Sequence, residues 1–127
     1  MIEISELRKT YLMGNVEVKA LDGVTLTIEK GEFLGIMGPS GSGKTTLLHM
    51  LGLLDLPTSG KIVIDGLDIL KLTDYEKPMF RLYKLGYVFQ DYALVPDLTV
   101  MENISKLSFF NCSSVRSLRS IAVRETF

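Results

Sequence analysis

The run GPSGSGKTT, from Gly38 to Thr46, is the most informative stretch of this 127-residue chain. It fits the spacing GxxxxGK[ST], in which a glycine-rich turn points successive backbone N–H groups at phosphate oxygens. The apolar run before it, 32–37, predicts a short buried strand, and the residues after it predict a helix. Because the N-terminus of that helix adds partial positive charge, the stretch predicts a nucleotide site.

Individual residues of the loop have different predicted roles. The glycines allow the backbone to curl around phosphate. Lys44 is expected to reach the β- and γ-phosphates, and Thr45 is expected to place its hydroxyl on Mg²⁺. The predicted nucleotide-binding residues of the loop are Gly38, Ser40, Gly41, Ser42, Gly43, Lys44, Thr45 and Thr46.

Composition places the chain among ordinary globular domains. Hydrophobic residues make up 46% of it and charged residues 23%, which suffices for one domain with a core. Fourteen basic against fifteen acidic residues leave no excess of positive charge for nucleic acid. The N-terminus lacks the apolar core of a signal peptide, and no stretch reaches the length of a membrane span. Cys112 is alone, which excludes an internal disulfide and fits a reducing, cytoplasmic compartment.

The first thirty residues predict an antiparallel β layer. Apolar and polar residues alternate around Ile2 and Ile4, over 16–20, and over 24–28, where the last run follows an expected turn at Asp22-Gly23. On the helix after the loop, one apolar face is predicted. Its members are Leu47, Met50, Leu51 and Leu54.

The region after this helix predicts a hairpin, two helix starts and a further strand. In the hairpin, a turn at Ser59-Gly60 is expected to lead into a strand at 61–65, and a second turn is expected at Asp65-Gly66. Thr73 with Glu76, and Thr99 with Glu102, match the capping box of a helix start. Pro78 is expected to interrupt the first of these helices. The run 85–89 predicts a buried strand that ends at Gln90.

Two residues imitate catalytic groups and are assigned structural roles instead. His49, the only histidine, lies in the helix after the loop. The run 62–65 resembles the strand that holds Mg²⁺ through an aspartate in many nucleotide hydrolases. The turn signals that flank it fit a β-hairpin better, so we interpret Asp65 as a hairpin residue.

Several segments together resemble the first half of an ABC transporter ATP-binding subunit. They are GPSGSGKTT with the strand before it, Tyr11, LDLPTSGKIVIDG (54–66) and GYVFQDYALVPDLTVMENI (86–104). The segment TYLMGNVEVKALDGVTL (10–26) is most similar to the subgroup that serves lipoprotein release and macrolide or peptide export. The resemblance implies an α/β P-loop NTPase fold, here an antiparallel β layer with a partial parallel core over 1–104. The helical subdomain and the C-terminal strands of that fold are absent from the sequence.

The resemblance also assigns roles and partners. Tyr11 matches the aromatic residue that stacks on adenine, and Gln90 matches a glutamine that contacts Mg²⁺ and the attacking water. The implied ligands are ATP and Mg²⁺. The implied partners are a membrane permease, contacted through the region of Gln90, and a second ATP-binding subunit. The implied location is the inner face of the cell membrane.

Residues 105–127 have no match to the family pattern. They contain six serines, four basic residues and one acidic residue, with no glycine or proline. The family's LSGGQ-type signature, the strand that ends in Asp-Glu and the switch histidine do not occur in the sequence. We therefore expect a truncated or frame-shifted form with marginal folding, able at most to bind nucleotide.

Two alternatives remain open from the sequence. One is a self-contained P-loop phosphotransferase, which needs arginines close to the phosphates, and Arg81 and Arg116 are the candidates. The other is a nucleotide-binding or interaction module without catalytic chemistry.

Overall fold

A computed structural model describes residues 1–86 and 94–104. Its sheet has four strands: β1 (Ile2–Met13), β2 (Val16–Ile28), β3 (Ser59–Ile64) and β4 (Leu67–Asp68). Their order across the sheet is β2-β1-β3-β4, and every neighbouring pair is antiparallel. The antiparallel layer predicted for the first thirty residues is therefore confirmed.

The hairpin between β1 and β2 turns at 14–15, where Gly14 has a φ of 62°. The turn predicted at Asp22-Gly23 is wrong, because β2 continues through both residues. Gly23 has a φ of 85° and lies where the register shifts next to Leu7 and Arg8. Pairing with β1 therefore continues past these residues, and Gly23 forms an irregularity in the strand pair instead of a turn.

The hairpin between β3 and β4 is confirmed at Asp65-Gly66. Both residues have positive φ, 49° and 82°, as a type I′ two-residue hairpin turn requires. The turn predicted at Ser59-Gly60 is wrong, because both residues lie within β3, which pairs with β1. A Cβ at Gly60 would lie 2.6 Å from the Glu6 carbonyl oxygen, so β1 and β3 approach more closely than a side chain allows.

The buried core lies between the sheet and the helix α1 (Lys44–Leu51). Its members are Ile2, Ile4, Leu7, Leu21, Ile28, Leu47, Met50, Leu51, Leu53, Ile62, Ile64 and Ile69. The predicted helix face is correct for its first three residues and wrong for Leu54, which is 54% exposed. The helix ends at Leu51, and Gly52 caps it, so Leu53 turns inward in place of Leu54.

The segment 32–37 is not a strand in the structure, and the predicted buried strand is wrong there. Phe33 and Met37 are 82% and 87% exposed. A strand is stabilised by a neighbour that accepts and donates its ladder hydrogen bonds, and no strand within 1–86 or 94–104 pairs with this segment. The partial parallel core is accordingly not formed by the described residues.

A 3₁₀ turn (Ile69–Lys71) leads to a second helix, α2 (Glu76–Lys84). The Glu76 carboxylate accepts from the Thr73 amide at 2.8 Å, which confirms the first capping box. Pro78 does not interrupt α2, because it lies in the first turn, where N–H groups have no helical acceptor. The second box is confirmed by a 2.8 Å bond from the Thr99 amide to Glu102, and residues 100–104 are helical.

Candidate nucleotide-binding site

The loop 38–46 follows the segment 32–37 and runs into the first turn of α1, and its glycines take the conformations that a curled loop needs. Gly41 and Gly43 have φ values of 79° and 88°, in the left-handed region that glycine occupies without strain. The Ser42 amide donates to the Pro39 carbonyl at 3.2 Å, which closes the turn. The Leu47 amide then donates to the Gly43 carbonyl at 2.8 Å and begins the helix.

Both its conformation and its close contact with β2 require a glycine at position 43. A Cβ at this residue would lie 2.3 Å from the Ala20 carbonyl oxygen and 3.1 Å from a methyl carbon of Leu21. The end of the loop therefore packs directly on the second strand. Gly38 is also crowded, since a Cβ there would lie 2.7 Å from the Ser42 hydroxyl.

The ammonium group of Lys44 lies across the loop. It donates to the carbonyl oxygens of Gly38 and Pro39, each at 2.9 Å, and lies 3.4 Å from the Ser42 hydroxyl. These bonds hold one positive charge against the loop at the N-terminus of α1. A positive charge and a helix N-terminus both favour an anion at this position.

The remaining predicted residues of the loop take different positions. Ser40 and Thr45 are exposed, and Thr46 is half-buried. His49 lies exposed in the last turn of α1. Gln90 lies outside the described residues, so its predicted role stays a prediction.

Tyr11 lies on β1 beside the first turn of α1. Its hydroxyl donates to Asp55 Oδ2 at 2.8 Å, and it also interacts with the Thr46 hydroxyl. The Lys9 ammonium lies 4.8 Å from the centroid of the tyrosine ring. The predicted adenine-stacking residue and the phosphate-binding loop are therefore neighbours in the structure.

Lys9 and Asp55 complete a small cluster around Tyr11. The ammonium lies 2.8 Å from Asp55 Oδ1 and 2.6 Å from the Leu56 carbonyl oxygen. The lysine's hydrogen bond is the main cause that lowers the pKa of Asp55. Burial, followed by the bond to Asp55, raises the pKa of Tyr11.

Sequence reasoning missed both Lys9 and Asp55. One signal was present, because Lys9 and Tyr11 are two residues apart on a strand and so share a face. Asp55 gave no such signal, since it is 46 residues from Lys9 and the loop after α1 brings it there.

Two other residues considered from the sequence lie away from this loop. Arg81 donates to the Leu53 carbonyl at 2.9 Å, beyond the C-terminal end of α1. The eight residues of α1 span roughly 12 Å, so Arg81 lies at the end of the helix opposite the phosphate loop. Asp65 lies in the β3–β4 turn and pairs with the N-terminal ammonium at 2.9 Å, as a hairpin residue. Arg116 lies outside the described residues.

Within residues 1–86 and 94–104, no group of three or more His, Cys, Asp or Glu side chains is arranged to hold a metal ion. In the same described part of the chain, no helix has the length and apolar character needed to cross a membrane.

Comparison with known proteins identifies the family. The family model described as ABC transporter matches residues 21–126, so the chain belongs to the ABC transporter family. The family match extends beyond residue 104. The domain boundary expected at that residue therefore stays a prediction.

Individual relatives agree with the family match. An uncharacterized ABC transporter ATP-binding protein of Thermotoga maritima is 46% identical over 104 residues, which are 82% of this chain and 44% of that protein. The macrolide export ATP-binding/permease protein of Bdellovibrio bacteriovorus is 44% identical over 105 residues, 83% of this chain and 16% of that protein. The chain thus spans less than half the length of these curated relatives.

A solved structure confirms the class of fold. A dimeric ATP-binding cassette in a post-hydrolysis state, bound to ADP and Pi, superposes with a TM-score of 0.80 at 43% identity. The superposition covers 89% of this chain and 49% of the cassette. The α/β P-loop NTPase fold that the family resemblance implies is confirmed, and the chain covers about half of that cassette.

Proposed function

We propose that this chain binds the phosphates of Mg-ATP in the loop 38–46, as part of the ATP-binding subunit of an ABC transporter. The observation that supports this most directly is the position of the Lys44 ammonium, 2.9 Å from two carbonyl oxygens of the loop. A charge fixed there makes strong, charge-assisted bonds to a phosphate without a large rearrangement of the loop.

The backbone of the loop supports the same proposal. Left-handed conformations at Gly41 and Gly43 curl the chain so that amides can converge on an anion. Mg²⁺ takes most of its ligands from phosphate oxygens and water in such sites. Thr45 and Gln90 are the protein residues that we propose as its additional ligands.

Tyr11 is proposed to stack on the adenine ring. The interaction of its hydroxyl with Thr46 supports this proposal, because it places an aromatic side chain next to the loop proposed to bind the phosphates. Stacking on an aromatic face suits any purine, because every purine has a π-face.

The transporter that this subunit serves is proposed to export its substrate or to release lipoproteins. The similarity to a macrolide export protein supports this assignment. A membrane permease and a second ATP-binding subunit are the proposed partners, and the dimeric state of the similar cassette supports the second.

Titration calorimetry of the purified chain with Mg-ATP tests the binding proposal. We expect Lys44→Ala to lose binding by about 1.5 to 3 kcal/mol, the range for hydrogen bonds to a charged group. Lys71→Ala is the matched control, since Lys71 is an exposed lysine that pairs with Asp68 at 3.7 Å, away from the loop. Equal affinities for the chain and for Lys44→Ala would contradict the proposal.

A further inference from the structure

We propose that Asp55 and Lys9 are positioning residues that hold the Tyr11 ring for the base of the nucleotide, which stacks on the ring face opposite Lys9. The inference rests on the proposed function, because it concerns the base of the nucleotide whose phosphates the loop 38–46 binds. Beyond that function, it assigns roles to Lys9 and Asp55 and specifies the face of the Tyr11 ring on which the base stacks.

The first step is that Tyr11 is fixed at its hydroxyl. The phenol donates to Asp55 Oδ2 at 2.8 Å, and Asp55 is itself held by two donors. These donors are the Lys9 ammonium at 2.8 Å and the Leu56 amide at 2.7 Å, both to Oδ1. A carboxylate with both oxygens engaged is a rigid acceptor, so it restricts the rotation of the ring that it binds.

The second step is that the cluster ties β1 to the loop after α1. Lys9 also donates to the Leu56 carbonyl at 2.6 Å. Beside it, the Thr58 amide donates to the Arg8 carbonyl at 2.8 Å, and the Thr10 amide donates to the Thr58 hydroxyl at 3.0 Å. These bonds lie just before Tyr11 along β1 and fix this part of the strand to the loop that follows α1.

The third step concerns which face of the ring is accessible. The Lys9 ammonium lies 4.8 Å from the ring centroid, in the range of a cation–π contact. Its side chain is only 13% exposed, since the bonds to Asp55 and Leu56 hold it in place. A purine therefore cannot stack on this face without displacing Lys9 from its bonds to Asp55 and Leu56. We accordingly assign the base to the opposite face of the ring.

An alternative is that the Lys9–Asp55 pair only fastens β1 to the loop, with no effect on the base. The two accounts differ in which ligand they affect. If the pair acts through Tyr11, its loss weakens the binding of ATP but not of tripolyphosphate, which has the same phosphates and no base. If the pair only holds β1 against the loop, its loss weakens the binding of both ligands equally or of neither.

The experiment is calorimetric titration of the chain and of Asp55→Asn with Mg-ATP and, separately, with magnesium tripolyphosphate. We expect Asp55→Asn to weaken ATP binding by about three- to tenfold, the equivalent of one lost hydrogen bond, with tripolyphosphate binding unchanged. Asp74→Asn is the matched control, because Asp74 also pairs with a lysine at 2.8 Å but lies at the start of α2. We expect it to change neither affinity.

A double-mutant cycle separates positioning from folding effects. Tyr11→Phe keeps the ring and removes only its hydroxyl, and we expect it to weaken ATP binding about as much as Asp55→Asn does. In the Tyr11→Phe background, Asp55→Asn is then expected to have little further effect, because the hydroxyl through which it acts is absent. Additive losses, or parallel losses for tripolyphosphate, would overturn the inference.

The outcomes also distinguish this inference from the proposed function. Lys44-dependent ATP binding with no selective effect of Asp55→Asn would overturn the inference alone. Absence of binding of either ligand to the unmodified chain would overturn the proposed function and the inference together.

Discussion

The ammonium of Lys9 lies 2.8 Å from a carboxylate oxygen of Asp55 and joins β1 to the loop that follows α1. The lysine side chain is 13% exposed and the aspartate side chain 33% exposed, so solvent screens this pair less than the ion pairs at the surface. The hydrogen bond from Lys9 is the largest of the effects that lower the pKa of Asp55 below its ordinary value of 3.8.

Because of this pair, the free energy of unfolding is predicted to fall when Asp55 becomes protonated at low pH. The folded pKa of Asp55 is lower than the unfolded one, so its stabilising contribution is present above pH 3.8 and is lost as the pH falls through the folded pKa. Carboxyl-carbon NMR titration measures the folded-state pKa of Asp55, on which this prediction rests. We expect the pKa of Asp55 to rise toward 3.8 in Lys9→Met, while the pKa of Asp74, which Lys77 lowers, stays unchanged. An unchanged pKa of Asp55 in Lys9→Met would show that the ion pair is not formed in solution.

Substitution of Gly43 is predicted to destabilise the fold more than the same change at Gly41. Both residues have positive φ, so alanine at either position costs about 1 kcal/mol or more in backbone strain. At Gly43 the new Cβ would also lie 2.3 Å from the Ala20 carbonyl oxygen. A Cβ at Gly41 would have no other atom of the described residues within 4 Å, apart from its chain neighbours. Urea unfolding of Gly43→Ala and Gly41→Ala isolates the effect of that contact. Equal losses of unfolding free energy would mean that the loop does not pack on β2 as described.

Ile62 is predicted to be a major contributor to the core. Its side chain is fully buried on β3, opposite Ile4 of β1. Ile62→Ala should lower the free energy of unfolding by about 2 to 5 kcal/mol. The control is Leu12→Ala on β1, where the side chain is 74% exposed and little change is expected. Similar losses for the two variants would contradict the assignment of β3 to the core.

Local signals in the sequence were sufficient for the loop and for the turns that depend on two or three neighbouring residues. The phosphate loop, the Asp65-Gly66 hairpin and both capping boxes are set by glycine conformations and by bonds between residues three apart. Their physics is contained in the stretch itself. The same local reasoning failed at Asp22-Gly23, where the ladder with β1 overrides the turn.

Features that depend on distant partners were not predictable from the sequence. The segment 32–37 is apolar enough for a strand, but strand formation requires a neighbour, and the described residues provide none. The positions of Lys9 and Asp55 follow from how the loop after α1 returns to β1, which no local pattern encodes. Leu54 was misplaced because Gly52 ends the helix before it.

Backbone amide NMR of the chain during titration with Mg-ATP tests the central claim most directly, because it reports where the nucleotide binds. We predict the largest shift changes at the amides of residues 38–46, with Gly41 and Gly43 among them, and we predict that these changes disappear in Lys44→Ala. No shift changes at these amides, or changes that persist unaltered in Lys44→Ala, would contradict the account.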